Sequence, residues 1–385
     1  MSGDALSLRT ASWAERLGVI GVFFSNGVGI GVWAACIPAL KARHGLSNGE
    51  LGAVLFVFAI GAVIAMQLAA RLSQWIGPAA ATRVSALAFA GAMALPAIAP
   101  NPLTLAAAVL AVGAASGFED VTMNGYASDV ERRWGAAIMS SFHAAWSAGG
   151  LIGATIGGAL IGFGPSWTLV AGAALAAGFA AAAAPTLQDA SRPAAAPAPA
   201  RTPGLAAPIR GALPLCLAAA LGMIAEGAMA DWTGVYLSDE AGASVALAPI
   251  GFAAFSATMV AGRLVGDAVV RALGRAHVVR WGATLAACGL ALAVAEPRVA
   301  TATIGFALVG VGLSNVIPII YSAGSTLGAS PAAGVAMVAT AGYGGYLVGP
   351  AIIGAIAEDA GLRIAVVFLI LCAAGAAWAG RAIRT

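Results

Sequence analysis

Long apolar runs, each closed by a few turn or charged residues, recur along the entire chain. Twelve can be drawn, at about 14–40, 47–73, 83–99, 102–128, 135–162, 166–184, 211–238, 247–272, 276–295, 299–325, 332–356 and 361–381. A helix rising 1.5 Å per residue needs about 20 residues to cross a hydrocarbon core of ~30 Å, and the runs are near or above that length. Barrel strands would be about half as long and would alternate in polarity, which these runs do not. The pattern therefore predicts an all-α membrane protein of twelve transmembrane helices. The longest polar interval is "TLQDASRPAAAPAPARTPGLAAPIR", whose prolines disfavour helix and favour an extended tether. It divides the chain into an N-terminal six-helix bundle over 1–185, a Pro/Ala-rich cytoplasmic linker over 186–210 and a C-terminal six-helix bundle over 211–385.

Composition agrees with this pattern. Hydrophobic residues make up 61% of the 385 and charged residues 9%, against roughly half and a quarter in a soluble domain. The 51 glycines and abundant alanines suit helices that pack through small-residue faces. A net charge of +3 spread over segment ends offers no basic face for nucleic acid. Cys36, Cys216, Cys288 and Cys372 stand singly in separate runs, without metal-ligand spacing, and read as packing residues. The N-terminal stretch mixes acids with its Arg and has no small-residue cleavage site after a short apolar core, so the first run reads as a retained span. With the N-terminus in the cytoplasm, fourteen arginines fall on that side against Lys41, Arg43, Arg298 and Arg363 opposite, and the positive-inside rule favours both termini cytoplasmic.

The two halves answer each other at an offset near 200: "LGAVLFVFAIGA" with "IGFAAFSATMVA", "GAAIMSSFHAAW" with "GVAMVATAGYGG", and "SNGVGIGVW" with "AEGAMADW". A duplicated six-helix unit, its halves related by an axis along the membrane normal, is the architecture this predicts. Twelve spans, the repeat and a central loop make the chain resemble the major facilitator superfamily over essentially its whole length. More narrowly, "DVTMNGYASDVERRWGAAIMSSFHAAWSAGGLIGA", "AEGAMADWTGVYL" and "GRLVGDAVVRALG" are similar to bacterial permeases near the fucose-permease-like branch. The resemblance implies a bacterial inner-membrane location and a central cavity lined by the first, fourth, seventh and tenth helices. The loop "ARLSQWIGPAAATR" keeps Gly77 and Arg83 but lacks the superfamily's usual Asp. The Gly-x-x-x-Gly-Pro of drug/proton antiporters is absent from the fifth helix, while "GYLVGP" ends at Pro350 in the eleventh.

Within this apolar chain, "GFEDVTMNGY" places Glu119 and Asp120 side by side. Asp120 lies 18 residues after Pro102 and 12 before Arg132, or roughly 27 Å and 18 Å from the two ends of its helix. A charged acid at that depth costs at least ~2.5 kcal/mol, so such groups face a cavity or a partner and mark a pathway. Asp120 shares a face with Asn124, and Glu119 with Thr122 and Tyr126. One of the two acids is expected to carry the proton, the other to bind substrate or lock a helix contact. Glu226, also near mid-membrane, joins them as a proton-coupling candidate, and the resemblance sets it across the cavity from Asn26. The substrate-binding candidates are Asn26 and Asp231, the aromatics Trp33, Trp146, Trp232 and Tyr321, and, with Asn124 and Tyr126, also His143 and Asn315. His143 could shuttle protons or simply bond a neighbouring hydroxyl. Arg263 and Asp267, spaced i, i+4, read as a structural or gating ion pair.

Other function classes lack their residues. Only three histidines occur, in separate regions, with no H-E-x-x-H or G-x-S-x-G, so an enzyme is not indicated. No G-x-x-x-x-G-K-[ST] is present to use ATP, and nothing points to a cofactor or metal. The reading is a monomeric secondary transporter working by alternating access, with a small-molecule substrate, protons and the lipid bilayer as its partners. Proton-coupled symport of a small polar solute, a sugar or related metabolite, is favoured; proton-linked efflux of drugs or metabolites comes second and a channel a distant third.

Overall fold

A computed structural model describes residues 10–136, 138–189, 209–327 and 331–383. Among them are twelve helical segments long and apolar enough to cross a membrane. Helices 1 to 6 are Trp13–His44, Asn48–Ile76, Pro78–Ala92, Pro102–Trp134, Met139–Leu160 and Pro165–Ala183. Helices 7, 8 and 9 are Ile209–Asp239, Ile250–Leu273 and Arg275–Ala295. Helix 10 is broken into Val299–Leu313 and Val316–Gly324, where the sequence pattern predicts one continuous segment. Helices 11 and 12 are Pro331–Ala360 and Leu362–Ala379. Most of the linker expected at 186–210 lies outside the described residues.

Local signals set many of these boundaries. Ser12 and Glu15 form a reciprocal capping box at the start of helix 1, and Ser47 and Glu50 form another at helix 2. Four hairpins share one backbone conformation: Gly77, Gly164, Gly274 and Gly361 have φ of 87°, 97°, 81° and 89° with ψ of 149°, 155°, 151° and 157°. Only glycine occupies that region without strain. Gly274 and Gly361 follow Gly77 and Gly164 by 197 residues, and within each half the two stand 87 apart. The first spacing is the repeat that relates the halves; the second relates two three-helix units inside each half, the nested pattern of a three-helix unit duplicated twice.

Without a hydrophobic drive between helices in lipid, close backbone approach holds them together. Helix 1 packs on helices 5 and 6, and helix 7 on helices 11 and 12. A Cβ on Gly27 or Gly31 would strike the carbonyls of Trp146 and Gly150 on helix 5. The two bundles meet through helices 2 and 11, 5 and 8, and 1 and 7. These meetings run from mid-depth to the end away from the chain termini, here called the far side. There Gly52 abuts Gly354, the Gly49 amide donates to Glu358 at 2.8 Å, and Lys41 pairs with Asp239. Nearer the terminus side, Gly125 and Gly344 have open space about them. The molecule is therefore sealed by contact on the far side.

Candidate functional site

Helix 4 carries its two adjacent acids to different neighbours, as the 100° step between consecutive residues requires. Glu119 is completely buried and faces helix 1, where the Asn26 amide donates to its Oε2 at 2.7 Å. The Trp146 indole N–H, from helix 5, donates in turn to Asn26 Oδ1 at 2.8 Å. One chain of bonds thus ties helices 4, 1 and 5. Glu119 Oε1 is buried with no partner among the described residues, an arrangement that is costly for a fixed carboxylate but suited to a group that holds a proton or meets a visitor. Asp120 is half-buried and accepts from Asn124 at 3.0 Å and, across the bundle interface, from the Tyr343 hydroxyl of helix 11 at 3.4 Å.

A second polar cluster lies opposite. Glu226 on helix 7 pairs with Arg263 on helix 8 at 3.2 Å. The same guanidinium donates to Ser147 Oγ at 2.6 Å and to the His143 carbonyl at 3.4 Å, both on helix 5 of the other bundle. Arg263 is thus a clasp between the bundles. Its Nε and Glu226 Oε2 have no partner among the described residues. The His143 ring stands edge-on to Phe23, with centroids 5.3 Å apart. Tyr321 Oη is buried without a partner among the described residues and sits against Gly342 of helix 11. Asp231 and Trp33 line a small cavity shared by helices 1, 2, 7 and 11.

Several expected positions are corrected. Tyr126 does not face the centre: its hydroxyl donates to the Gln188 carbonyl at 2.9 Å and accepts from the Gln188 amide at 2.8 Å, fixing the chain that leaves helix 6. The expected i, i+4 pair of Arg263 and Asp267 is not formed, because Arg263 turns inward to helices 5 and 7 while Asp267 is exposed. Asn315 sits at the break in helix 10 and donates to the Gly262 carbonyl at 3.0 Å and to Ser314 Oγ at 2.9 Å, so it ties helix 10 to helix 8. Trp232 is packed into the apolar core at 2% exposure. Sequence reasoning missed Ser147, Tyr343 and Tyr346. Tyr343 and Tyr346 carry a legible signal, being hydroxyl-bearing rings in the otherwise small and apolar "GYGGYLVGP".

With this geometry established, comparisons with known proteins place the chain. The model of the Major Facilitator Superfamily matches residues 19–350. An uncharacterised MFS-type transporter of Yersinia pestis is 36% identical over 361 residues, covering 92% of this chain and 93% of that protein. The membrane protein MosC of Rhizobium meliloti is 35% identical over 359 residues, covering 90% and 85%. Among solved structures, the nucleoside transporter NupG aligns at a TM-score of 0.72 with 17% identity, covering 96% of this chain and 98% of that one. A bacterial homologue of the human lysosomal transporter Spinster, in an inward-facing and unoccupied conformation, aligns at 0.74 with 15% identity, covering 97% and 98%. These structures share the fold, and the sequence relatives share the family. Twelve spans in two repeated six-helix bundles, matched along nearly their whole length, make this chain a member of the Major Facilitator Superfamily of transporters.

Proposed function

We propose that the protein is a proton-coupled secondary transporter that moves a small polar solute by alternating access, in the direction of symport into the cell. The observation that carries this reading is Glu119: a carboxyl group at the middle of a spanning helix, wholly buried, bonded through Asn26 to two further helices and left with one unsatisfied oxygen. A proton reaching Glu119 Oε1 from the far side removes the charge that is expensive to keep dry, and opening to the terminus side lets water take that proton away. The solute occupies the space between the acids of helix 4 and the Glu226–Arg263 pair. Cross-bundle bonds from Arg263 to Ser147 and from Tyr343 to Asp120 stand where they can sense both the solute and the charge on the acids.

The arginine bias of the loops supports placing both termini in the cytoplasm and the far side in the periplasm of a bacterial inner membrane. The sealed far side then corresponds to an inward-facing state. The proposed working unit is a monomer, with a domain boundary in the linker over 186–210. The test is uptake into proteoliposomes of a solute first found by its thermal stabilisation of the purified protein, with and without an imposed pH gradient. Gradient-driven accumulation in the wild type that Glu119→Gln abolishes while solute exchange persists supports the reading. Transport indifferent to the gradient refutes the proton assignment.

A further inference from the structure

Among the described residues, each acid at the centre of the molecule has a donor, except one. Glu119 has Asn26, Asp120 has Asn124 and Tyr343, and Glu226 has Arg263. Asp231, on helix 7, forms no hydrogen bond or ion pair with the described residues. Asp231 lines a cavity whose other walls include Trp33, Leu55, Phe58, Tyr346 and Pro350, drawn from both bundles. The cavity lies directly beneath the far-side seal, since the Pro350 carbonyl is one of the groups against Gly52.

The chemistry of this cavity selects its occupant. A bare carboxylate calls for a cation, and aromatic residues in the wall are compatible with that choice. A metal ion of the calcium or magnesium kind needs six or more oxygen ligands, whereas here a single carboxylate stands among rings and aliphatic groups. Size narrows the choice further. The cavity measures about 20 Å³, close to the room that one water molecule needs. A primary ammonium group is of that size, carries three donors and one positive charge, and projects from a larger molecule; a quaternary ammonium is too bulky. We infer that Asp231, with Trp33, Phe58 and Tyr346, receives the primary ammonium group of the transported solute, so that the cargo is an amino-bearing polar molecule. That the ammonium belongs to cargo rests on the alternating-access reading above; the ammonium site itself does not.

The test is thermal unfolding of the purified full-length protein in detergent, titrated with methylammonium chloride, tetramethylammonium chloride or sodium chloride at constant ionic strength near pH 7. Methylammonium is expected to raise the unfolding midpoint in a saturable way that the other two salts do not reproduce, because a ligand bound only by the folded state stabilises it. Asp231→Asn is expected to raise the half-saturating concentration at least about tenfold, Asp231→Glu to retain part of the response, and Asp359→Asn, an exposed acid elsewhere, to leave it unchanged. A methylammonium effect no larger than that of sodium or tetramethylammonium, or one equal in Asp231→Asn, overturns the inference. If Asp231→Asn fails to fold, the comparison of the three salts on the wild type decides alone. This equilibrium measurement uses no gradient, so a positive result alongside gradient-independent transport would sink the proton coupling and leave the ammonium site standing, and the reverse outcome would do the opposite.

Discussion

Replacing Gly52 by alanine puts a methyl group where helix 2 meets helix 11. The added Cβ would lie 2.7 Å from Gly354 Cα and 2.8 Å from the Pro350 carbonyl, whereas ordinary contact begins at 3.4 Å. Both obstacles are main chain, so no side chain can swing aside, and the two helices must part by about 0.7 Å at that point. Overpacking of this kind costs about 1–3 kcal/mol. The strain exists only while the far side is sealed; in a far-side-open state the helices separate and it disappears. The ratio of open to sealed molecules should therefore rise by roughly 5- to 150-fold. Spin labels on Leu103→Cys and Arg298→Cys, both exposed and on opposite bundles at the far side, would read this as a distance distribution in a background lacking the four native cysteines. The longer distance should gain population in Gly52→Ala and not in Gly125→Ala, where nothing lies within 4 Å of the added methyl. An unchanged distribution in Gly52→Ala would refute the claim that helices 2 and 11 form the far-side seal.

Other outcomes follow from the same geometry. Removing Arg263 alone, as in Arg263→Gln, leaves Glu226 uncompensated and should destabilise the protein by about 3–5 kcal/mol, while the double variant with Glu226→Gln should recover much of it; thermal denaturation of the purified proteins measures both. Tyr126→Phe loses both bonds to Gln188 and should cost about 1–3 kcal/mol of stability while leaving the half-saturating solute concentration of transport unaltered; a large change in that concentration would return Tyr126 to the binding site. Lys41→Ala weakens the far-side seal through a partly exposed pair, so the spin-label distribution should move less than in Gly52→Ala, by no more than about 1 kcal/mol.

The helices were readable because length and apolarity alone decide whether a segment can span lipid, and the hairpin glycines at 77, 164, 274 and 361 mark the repeat in the chain itself. The depth of Glu119 and Asp120 could be read for the same reason: helix rise converts sequence position to height. Direction around the helix was harder. Position in the sequence gives the face a residue occupies but not the neighbour that face meets, so Tyr126, on the expected face with Glu119, reaches Gln188 rather than the centre. Arg263 illustrates the reach of a long side chain. Spacing paired it with Asp267, yet its guanidinium crosses to Glu226 and Ser147, partners 37 and 116 residues away. Asn315 corresponds, at the repeat offset of 197, to Phe118 of helix 4, but the break at Ser314 turns it to the backbone of helix 8. Tyr343 and Tyr346 stand out in "GYGGYLVGP", yet the sequence does not separate a binding role from packing or interface anchoring.

The measurement that bears most directly on the account is gradient-driven solute accumulation in proteoliposomes bearing the wild type, Glu119→Gln or Asp120→Asn. The account predicts accumulation in the wild type under an inward proton gradient and its loss in Glu119→Gln, with exchange of solute down its own gradient retained. Full gradient-driven accumulation in Glu119→Gln would contradict it, since that carboxyl of helix 4 would then not carry the proton.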